Sequence, residues 1–310
     1  MAFSTWRIYC ARIMLLALLV TSGCGANGSL NLLGASGPTV VGGTPFPTWN
    51  GVVNPQITNV AAYVPAPLPT STTAPVAGGA TNPASNAGWT QLSAALALRT
   101  LSMNTSGGVI TVVAARVDPA RAVLSIYYTP GQLHTLSEWR AALPSAALLV
   151  NGNYFDRQSK ALGLVVSNSN SYGGFNTRTD SGLFQVVNGV PRVRSLWLEP
   201  YNTNERFEQV AQGFPILTAR GQAAPINTDL DQGAARRTVV AIDRAGRILF
   251  IITPLGGCKL TEMATWLPNS GLDIDTALNL DGGSSTQMFV GTQTFAGIAS
   301  VPLMIGVFNR

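Results

Sequence analysis

The sequence contains few cysteines. Cys10 and Cys24 fall in the N-terminal leader, and Cys258 is the only other one in the 310 residues. One remaining cysteine excludes a disulfide framework within the mature protein. Cys258 precedes a predicted helix, a position that can activate a thiol. A thiol enzyme is therefore an alternative, but it lacks a nearby partner, because His134 is the only histidine and lies far away in sequence.

The sequence also lacks a concentration of positive charge. The formal net charge is +5, yet only Lys160 and Lys259 are lysines, and the arginines are scattered along the chain. Nucleic-acid-binding proteins normally carry a basic stripe interleaved with aromatic side chains. Because the sequence has no such stripe, we do not expect nucleic acid as a partner.

The N-terminus has the features of a secretion signal. Two arginines precede an apolar run over residues 13–20, which is too short to span a bilayer. A Ser-Gly pair then leads to Cys24, as in the lipobox of bacterial lipoproteins, although Thr21 stands where leucine is usual. We predict a lipoprotein-type signal peptide at residues 1–23 and a lipidated Cys24 that anchors the protein in the bacterial cell envelope. An ordinary signal peptide cleaved nearby is the alternative, and both interpretations predict export.

A long segment without charge follows the leader. No Asp, Glu, Lys or Arg occurs between Arg12 and Arg99. Residues 24–88 are rich in Pro, Gly, Ser and Thr, a composition typical of a tether. Residues 89–310 then have a length suited to one globular domain, which we expect to be a monomer held away from the membrane.

Short apolar runs bounded by turn signals dominate this domain. The predicted strands cover residues 109–116, 122–128, 146–150, 183–187, 210–217, 238–243, 248–253, 277–280, 286–290 and 303–308. Thr135 and Glu138 form a capping box for a short helix ending near Leu143, and residues 260–267 have helical spacing. No regular alternation of strands and helices appears. We therefore predict an α+β fold, a single domain around a large mixed β-sheet with few short helices.

The most informative segment is residues 277–286. An apolar strand there leads into Asp281, two glycines and three hydroxyl residues. Glycines let a ligand approach the main chain, and their N–H groups can cradle an anion. The alternative is a plain hairpin, because Asp-Gly between apolar runs is a strong turn signal.

Three further segments are weaker on their own. Asn-Gly-Asn-Tyr-Phe-Asp at residues 151–156 follows a strand, Gln-Gly-Phe-Pro-Ile-Leu occupies residues 212–217, and Arg236-Arg237-Thr238 opens a strand. An arginine in such a place can present its planar fork to phosphate or carboxylate. Simple turns and solvated arginines are the alternative interpretations.

In their order along the chain, the four segments resemble the motifs of the phosphodiester glycosidase family, and the resemblance covers residues 89–310. It implies hydrolysis of the bond between a sugar anomeric carbon and a phosphate oxygen, in a sugar-1-phosphodiester or polysaccharide substrate. The candidate catalytic residues are Asp281, Asp156 and Arg237, and the candidate substrate-binding residues are Asn151, Asn279, Gly282, Gly283, Ser284 and Ser285.

Chemistry suggests a role for each group in this reaction. The sugar carbon requires a carboxylate as nucleophile or base, with Asp281 the first choice and Asp156 the second. Arg237 and the loop amides suit the phosphate, and Asn151 and Asn279 suit sugar hydroxyls. We expect these residues to converge on one pocket.

Two questions stay open at the level of sequence. A sugar-phosphate-binding or polysaccharide-binding module without turnover remains an alternative to an enzyme. No cofactor is expected. A divalent cation is possible through Asp156, Asp281 and asparagine oxygens, but no ligand spacing supports it, so no metal site is assigned.

Overall fold

The structure is a computed structural model that describes residues 87–227 and 233–310. The predicted signal peptide, Cys24 and the predicted tether up to residue 86 lie outside the described residues. The described residues form eighteen strands in three sheets. All ladders between these strands are antiparallel.

The largest sheet has eight strands, numbered here in chain order. Their order across the sheet is β1 (Thr90–Gln91), β2 (Leu96–Thr105), β3 (Gly108–Val117), β14 (Ile248–Ile252), β13 (Thr238–Asp243), β15 (Ile274–Asn279), β11 (Ile216–Ala219) and β12 (Gln222–Ala223). The strand β15 that leads to Asp281 therefore lies between β13 and β11, well inside the sheet.

Two sheets of five strands complete the domain. The first has the order β7 (Asn170–Tyr172), β6 (Val165–Ser167), β10 (Gln209–Gly213), β8 (Gly182–Val187) and β9 (Val190–Ser195). The second has the order β17 (Gln293–Phe295), β16 (Met288–Val290), β5 (Leu148–Asn151), β18 (Leu303–Asn309) and β4 (Ala122–Tyr128). Strands β5 and β10 bring residues 151–156 and 213–215 to the end of β15.

Both faces of the large sheet are covered by apolar side chains. Alternate residues of a strand point to opposite faces, and accordingly Val240 and Val239 belong to two different cores. The first core combines side chains from all three sheets, and in it Phe184 and Phe250 pack edge to face with ring centroids 6.0 Å apart. The second core lies on the other face, where Leu260 contributes from a helix.

Two short α-helices are present in the described residues. Helix α1 (Leu136–Ala142) begins at the predicted capping box, in which the Thr135 side chain and Glu138 exchange hydrogen bonds. Helix α2 (Leu260–Trp266) continues into a turn of 3₁₀-helix at Leu267–Asn269. None of the helices in residues 87–227 and 233–310 combines the length and apolar character needed to cross a membrane.

The predicted α+β domain with few short helices is confirmed, with two differences in detail. The strands are spread over three antiparallel sheets, because short connections join most neighbours in sequence and antiparallel pairs need no crossover. The single strand predicted over 210–217 is two strands, β10 and β11, in different sheets. Pro215, which has no N–H for a ladder, lies at the break between them.

Candidate active site

The site begins where β13 and β15 end side by side. In this antiparallel pair Val239 lies opposite Asn279, and the Leu280 N–H donates to the Thr238 carbonyl at 2.8 Å. Arg237 directly precedes β13 and Asp281 follows β15 by two residues, so the two residues lie at the adjacent ends of these strands.

Asp281 is fixed in a mostly desolvated position. Its backbone N–H donates to the Gly152 carbonyl at 2.9 Å, which ties the loop to the end of β5. Burial raises the pKa of its carboxyl from an ordinary value of 3.8 to about 6, although the Ser285 hydroxyl and the Gly282 N–H donate to it and act in the opposite direction. A carboxylate with a pKa near neutrality is suited to proton transfer or nucleophilic attack.

The turn after Asp281 is clamped by Arg236. The Arg236 side chain donates to the carbonyls of Gly283 and Ser284, at 2.9 and 3.1 Å, and the Gly283 N–H donates back to the Arg236 carbonyl at 2.8 Å. A Cβ on Gly282 would lie 2.6 Å from that carbonyl oxygen, and Gly283 has a φ of +59°. Both positions therefore require glycine, one for close approach and one for its left-handed backbone.

This clamp changes the role expected for the loop amides. The Gly282 N–H faces the Asp281 carboxylate, and the Gly283 N–H is bonded to the Arg236 carbonyl. Because protein acceptors already use both groups, they do not form an open cradle for an anion. The Ser285 hydroxyl faces Asp281, whereas Ser284 is exposed.

Asn151 joins the end of β5 to the same turn. Its side-chain amide donates to the Asp281 carbonyl at 2.7 Å. Its side-chain oxygen accepts from the Thr238 hydroxyl at 2.9 Å and from the Gln287 N–H at 3.1 Å. With only 1% of its surface exposed, Asn151 is positioned to hold the Asp281 loop in place.

Asn279 contacts two aromatic residues from the other motifs. Its side-chain amide donates to the Tyr154 hydroxyl oxygen and to the Phe214 carbonyl, the latter at 3.0 Å. The Tyr154 hydroxyl donates to the same carbonyl at 3.1 Å, and the Tyr154 and Phe214 rings stack with centroids 4.5 Å apart. The buried side-chain oxygen of Asn279 has no hydrogen-bond partner among the described residues.

Charged groups surround the Tyr154 hydroxyl. Burial raises the pKa of Tyr154, the negative charge of Asp281 raises it further, and the positive charges of Arg237 and Arg178 lower it. The charges of Asp281, Arg237 and Arg178 therefore all act on the Tyr154 hydroxyl. The phenol stays protonated at neutral pH and serves as a hydrogen-bond donor.

The two arginines are held in different ways. Arg237 donates through Nε to the Cys258 carbonyl at 2.9 Å and through Nη2 to the Gly233 carbonyl at 3.2 Å. Arg178 forms a two-pronged ion pair with Asp180 and lies over the Phe214 ring, 4.7 Å from its centroid. The two acceptors of Arg237 are neutral carbonyls, so these hydrogen bonds do not neutralise its positive charge.

Asp156 lies on its own loop. One oxygen of its carboxylate accepts from the N–H groups of Gln158 and Lys160, at 2.9 and 2.8 Å. Burial raises the pKa of Tyr128 and the negative charge of Asp156 raises it further, whereas Asp281 acts on Tyr154. Asp156 therefore makes its hydrogen bonds within its own loop, whereas Asp281 makes its contacts at the ends of the strands.

Four contributors to the site were not among the predicted site residues. Three of them, Tyr154, Phe214 and Arg236, lie within the motifs described above. The motif sequences do not indicate that Tyr154 and Phe214 contact Asn279, or that Arg236 contacts Gly283. Arg178 lies outside all four motifs, and its position over Phe214 follows only from the fold. In residues 87–227 and 233–310, no three His, Cys, Asp or Glu side chains are grouped as metal ligands.

Comparison with protein families identifies the chain. A model of the phosphodiester glycosidase family matches residues 145–308. The chain belongs to the phosphodiester glycosidase family. This confirms the family resemblance, and the matched segment contains all the predicted site residues from Asn151 to Ser285. The family is one of hydrolases.

Similar solved structures support the same fold. One is the catalytic domain of zebrafish N-acetylglucosamine-1-phosphodiester alpha-N-acetylglucosaminidase, auto-inhibited by its pro-peptide, with a TM-score of 0.53 and 15% identity over 69% of this chain and 83% of that one. Another is a hypothetical protein from Synechocystis, with a TM-score of 0.50 and 18% identity over 70% of this chain. The chain spans 62% of the Synechocystis protein. No curated protein matches the chain. At these identities the likeness concerns the fold alone.

Proposed function

We propose that this member of the phosphodiester glycosidase family is an active hydrolase that cleaves the bond between a sugar anomeric carbon and the phosphate of a phosphodiester. The observation that carries the proposal is that a desolvated carboxylate, Asp281, and a cation held by neutral carbonyls, Arg237, both act electrostatically on the Tyr154 hydroxyl. The substrate presents the complementary pair, an electron-poor sugar carbon next to an anionic phosphate.

Asp281 acts at the sugar carbon. As the bond to the leaving phosphate breaks, positive charge develops on the anomeric carbon and ring oxygen. A carboxylate in a low-dielectric site stabilises this charge strongly, either as the attacking nucleophile or as the base for a water molecule. Asp281 performs this role in its ionised form, so the rate rises with pH through the pKa of about 6.

Arg237 receives the departing phosphate. Phosphate is a good leaving group, so the reaction needs charge stabilisation more than a strong acid. Arg237 has donors beyond the two bonded to the Cys258 and Gly233 carbonyls, and we assign these donors to the departing phosphate. We assign Asn279 to a sugar hydroxyl, and substrate binding has to open access to its buried side-chain oxygen.

The remaining candidates support this pair. Asn151 and Gly282 hold the backbone and carboxylate of Asp281, and the Ser285 hydroxyl partly offsets the rise in its pKa that burial causes. Gly283 lets the turn form against Arg236, and we assign the exposed Ser284 to contact with substrate. Asp156 is the second choice for the catalytic carboxylate.

A screen of the purified protein against sugar-1-phosphodiesters tests the proposal, with sugar and phosphate monoester both measured. Release of the two products in equal amounts supports hydrolysis at the glycosyl-phosphate bond. Saturable binding of the phosphodiesters without any product identifies the protein as the alternative, a non-catalytic sugar-phosphate or polysaccharide-binding lipoprotein.

We also propose that the protein is exported and anchored by a lipid on Cys24. The Ser-Gly-Cys sequence after a short apolar run supports this proposal. Mass spectrometry of the membrane-extracted protein is expected to give a mature chain beginning at a modified Cys24. A chain beginning elsewhere, or an unmodified cysteine, would contradict it.

A further inference from the structure

Several large apolar side chains are exposed on segments that bond directly to the candidate active site. Eight large apolar side chains are exposed in the described residues, and the two most exposed of them are Ile298 at 84% and Leu255 at 76%. A single exposed apolar side chain is common on protein surfaces and needs no explanation. The informative observation is therefore where these side chains lie relative to the site.

Leu255 lies in the loop that holds Arg237. The Arg237 N–H donates to the Thr253 hydroxyl at 2.7 Å, and the Arg237 Nε donates to the Cys258 carbonyl at 2.9 Å. Residues 254–257 join these two acceptors, and Leu255 is the second residue after Thr253. Two residues of chain span at most about 7 Å. The exposed Leu255 therefore belongs to the immediate surroundings of Arg237.

Ile298 lies beside the turn that follows Asp281. Its backbone N–H donates to the Ser284 carbonyl at 2.9 Å, and the Arg236 side chain donates to the same carbonyl at 3.1 Å. Because both donors bond to one oxygen, the Ile298 backbone nitrogen and Arg236 Nη2 lie at most about 6 Å apart. An exposed apolar residue is therefore next to a cation on this side of the site.

Leu162 lies on a third side of the site. Its N–H donates to the Tyr154 carbonyl at 2.8 Å, and its side chain is exposed. The three residues that anchor these apolar positions come from different segments, namely the residue before β13, the turn after β15 and the loop after β5. The apolar positions are therefore distributed around the site. We call them the apolar rim, which consists of Leu162, Leu255 and Ile298.

Two cations accompany the apolar rim. Arg237 bonds to the carbonyls of Cys258 and Gly233, and the Arg236 side chain bonds to main-chain carbonyls of the turn, so these bonds neutralise neither charge. Cations next to exposed apolar side chains complement an amphiphile, in which an anionic phosphate carries an apolar chain. Covering the exposed side chains with such a chain removes apolar surface from water, which is favourable. A small polar group on the phosphate would leave that surface exposed.

We propose that the substrates are sugar-1-phosphodiesters of an apolar alcohol and that the apolar rim binds the alkyl chain of this alcohol. The inference rests on the proposed function, because it concerns the group esterified to the phosphate that Arg237 receives. The reaction is unchanged: the bond between the sugar carbon and the phosphate oxygen breaks, water supplies the new hydroxyl of the sugar, and the alkyl phosphate leaves as a monoester.

The test compares esters that differ only in the alkyl chain. The methyl and octyl esters of a panel of hexose 1-phosphates are titrated by calorimetry into the full chain carrying Asp281→Asn, which is expected to leave the esters intact. The octyl esters are kept below the concentration at which they form micelles. A fully buried methylene contributes roughly fourfold in affinity, so even partial cover of the longer chain predicts binding at least about tenfold tighter for an octyl ester.

Variants of the apolar rim assign this gain to its residues. Leu255→Asn and Ile298→Asn, each added singly and then together, should remove most of the gain for the octyl ester and leave binding of the methyl ester unchanged. Because both side chains are exposed, we expect these variants to fold. Val190→Asn is the matched control, since Val190 is 64% exposed at the start of β9 and should affect neither ester.

The outcomes separate this inference from the proposed function. Equal affinity for the methyl and octyl esters overturns the inference, whereas cleavage of the methyl ester by the wild type still supports the hydrolysis. Tighter binding of the octyl ester that depends on the apolar rim, without cleavage of any ester by the wild type, supports the binding role and contradicts only the hydrolysis. An equal loss in Val190→Asn overturns the inference. Binding to phospholipid vesicles that carry no sugar phosphodiester, if the rim variants abolish it, assigns the rim to a membrane surface and also overturns the inference.

Discussion

Replacing Asp281 by asparagine should stabilise the protein at neutral pH. The native fold removes this carboxylate from water, which raises its pKa from 3.8 to about 6. The group therefore contributes stability below the unfolded-state pKa, and this contribution is lost as the pH rises through the folded-state pKa. Asparagine has nearly the same size and no charge to bury.

The expected magnitude follows from the two pKa values. A difference of about 2 pKa units corresponds to about 3 kcal/mol between the protonated and ionised forms. Relative to Asp281→Asn, the wild-type free energy of unfolding should fall by about 3 kcal/mol between very low pH and pH ~7.5, and roughly half of this fall should be complete by pH ~5. The test depends on how the difference in free energy of unfolding between the two proteins changes with pH. A difference that is constant with pH also includes differences in hydrogen bonding.

Urea unfolding of both proteins across this pH range measures the effect. Ser285→Ala removes a hydroxyl that lowers the pKa of Asp281, so its loss of stability should extend to higher pH than in the wild type. Ser284→Ala is the matched control, because it changes an exposed neighbour. Parallel stability curves for the wild type and Asp281→Asn would refute the argument that burial of Asp281 is costly.

Three further predictions concern turnover of a sugar-1-phosphodiester. Asp281→Asn should reduce kcat by orders of magnitude while Asp156→Asn keeps most of it, measured by product release; the reverse ranking would exchange their roles. Arg237→Lys should lower kcat/KM about tenfold or more, because lysine lacks the guanidinium fork. Arg236→Lys serves as a comparison that alters the turn after Asp281. Equal values of kcat/KM for the wild type and Arg237→Lys would contradict the role of Arg237 at the phosphate. The acidic limb of the pH–rate profile should lie near 6 and move upward in Ser285→Ala, and a limb that does not move would argue against Asp281 as the titrating group.

The sequence was informative about elements with strong local signals. The capping box at Thr135 predicted the start of α1, and β13 spans the predicted residues 238–243. The apolar patterns that predict strands are local properties of the sequence, so these strands can be recognised without knowledge of the fold. The division between β10 and β11 was missed, because partition of an apolar run between two sheets depends on tertiary packing.

The candidate site was predictable only in part for the same reason. The motifs pointed to Asp281 and Arg237, and the register between β13 and β15 accounts for their proximity. The use of the Gly282 and Gly283 N–H groups by protein acceptors depends on where Arg236 and the Asp281 carboxylate lie in space. No local pattern in the sequence contains that information.

The most direct test of the central claim is hydrolysis of a sugar-1-phosphodiester in ¹⁸O-labelled water. Attack at the sugar carbon, with Asp281 as nucleophile or base, breaks the bond between that carbon and the phosphate oxygen. The proposed function therefore predicts one ¹⁸O atom in the released sugar and none in the phosphate monoester. Label in the phosphate monoester would mean that the phosphorus–oxygen bond is broken, and it would contradict the assignment of a glycosidase mechanism to this site.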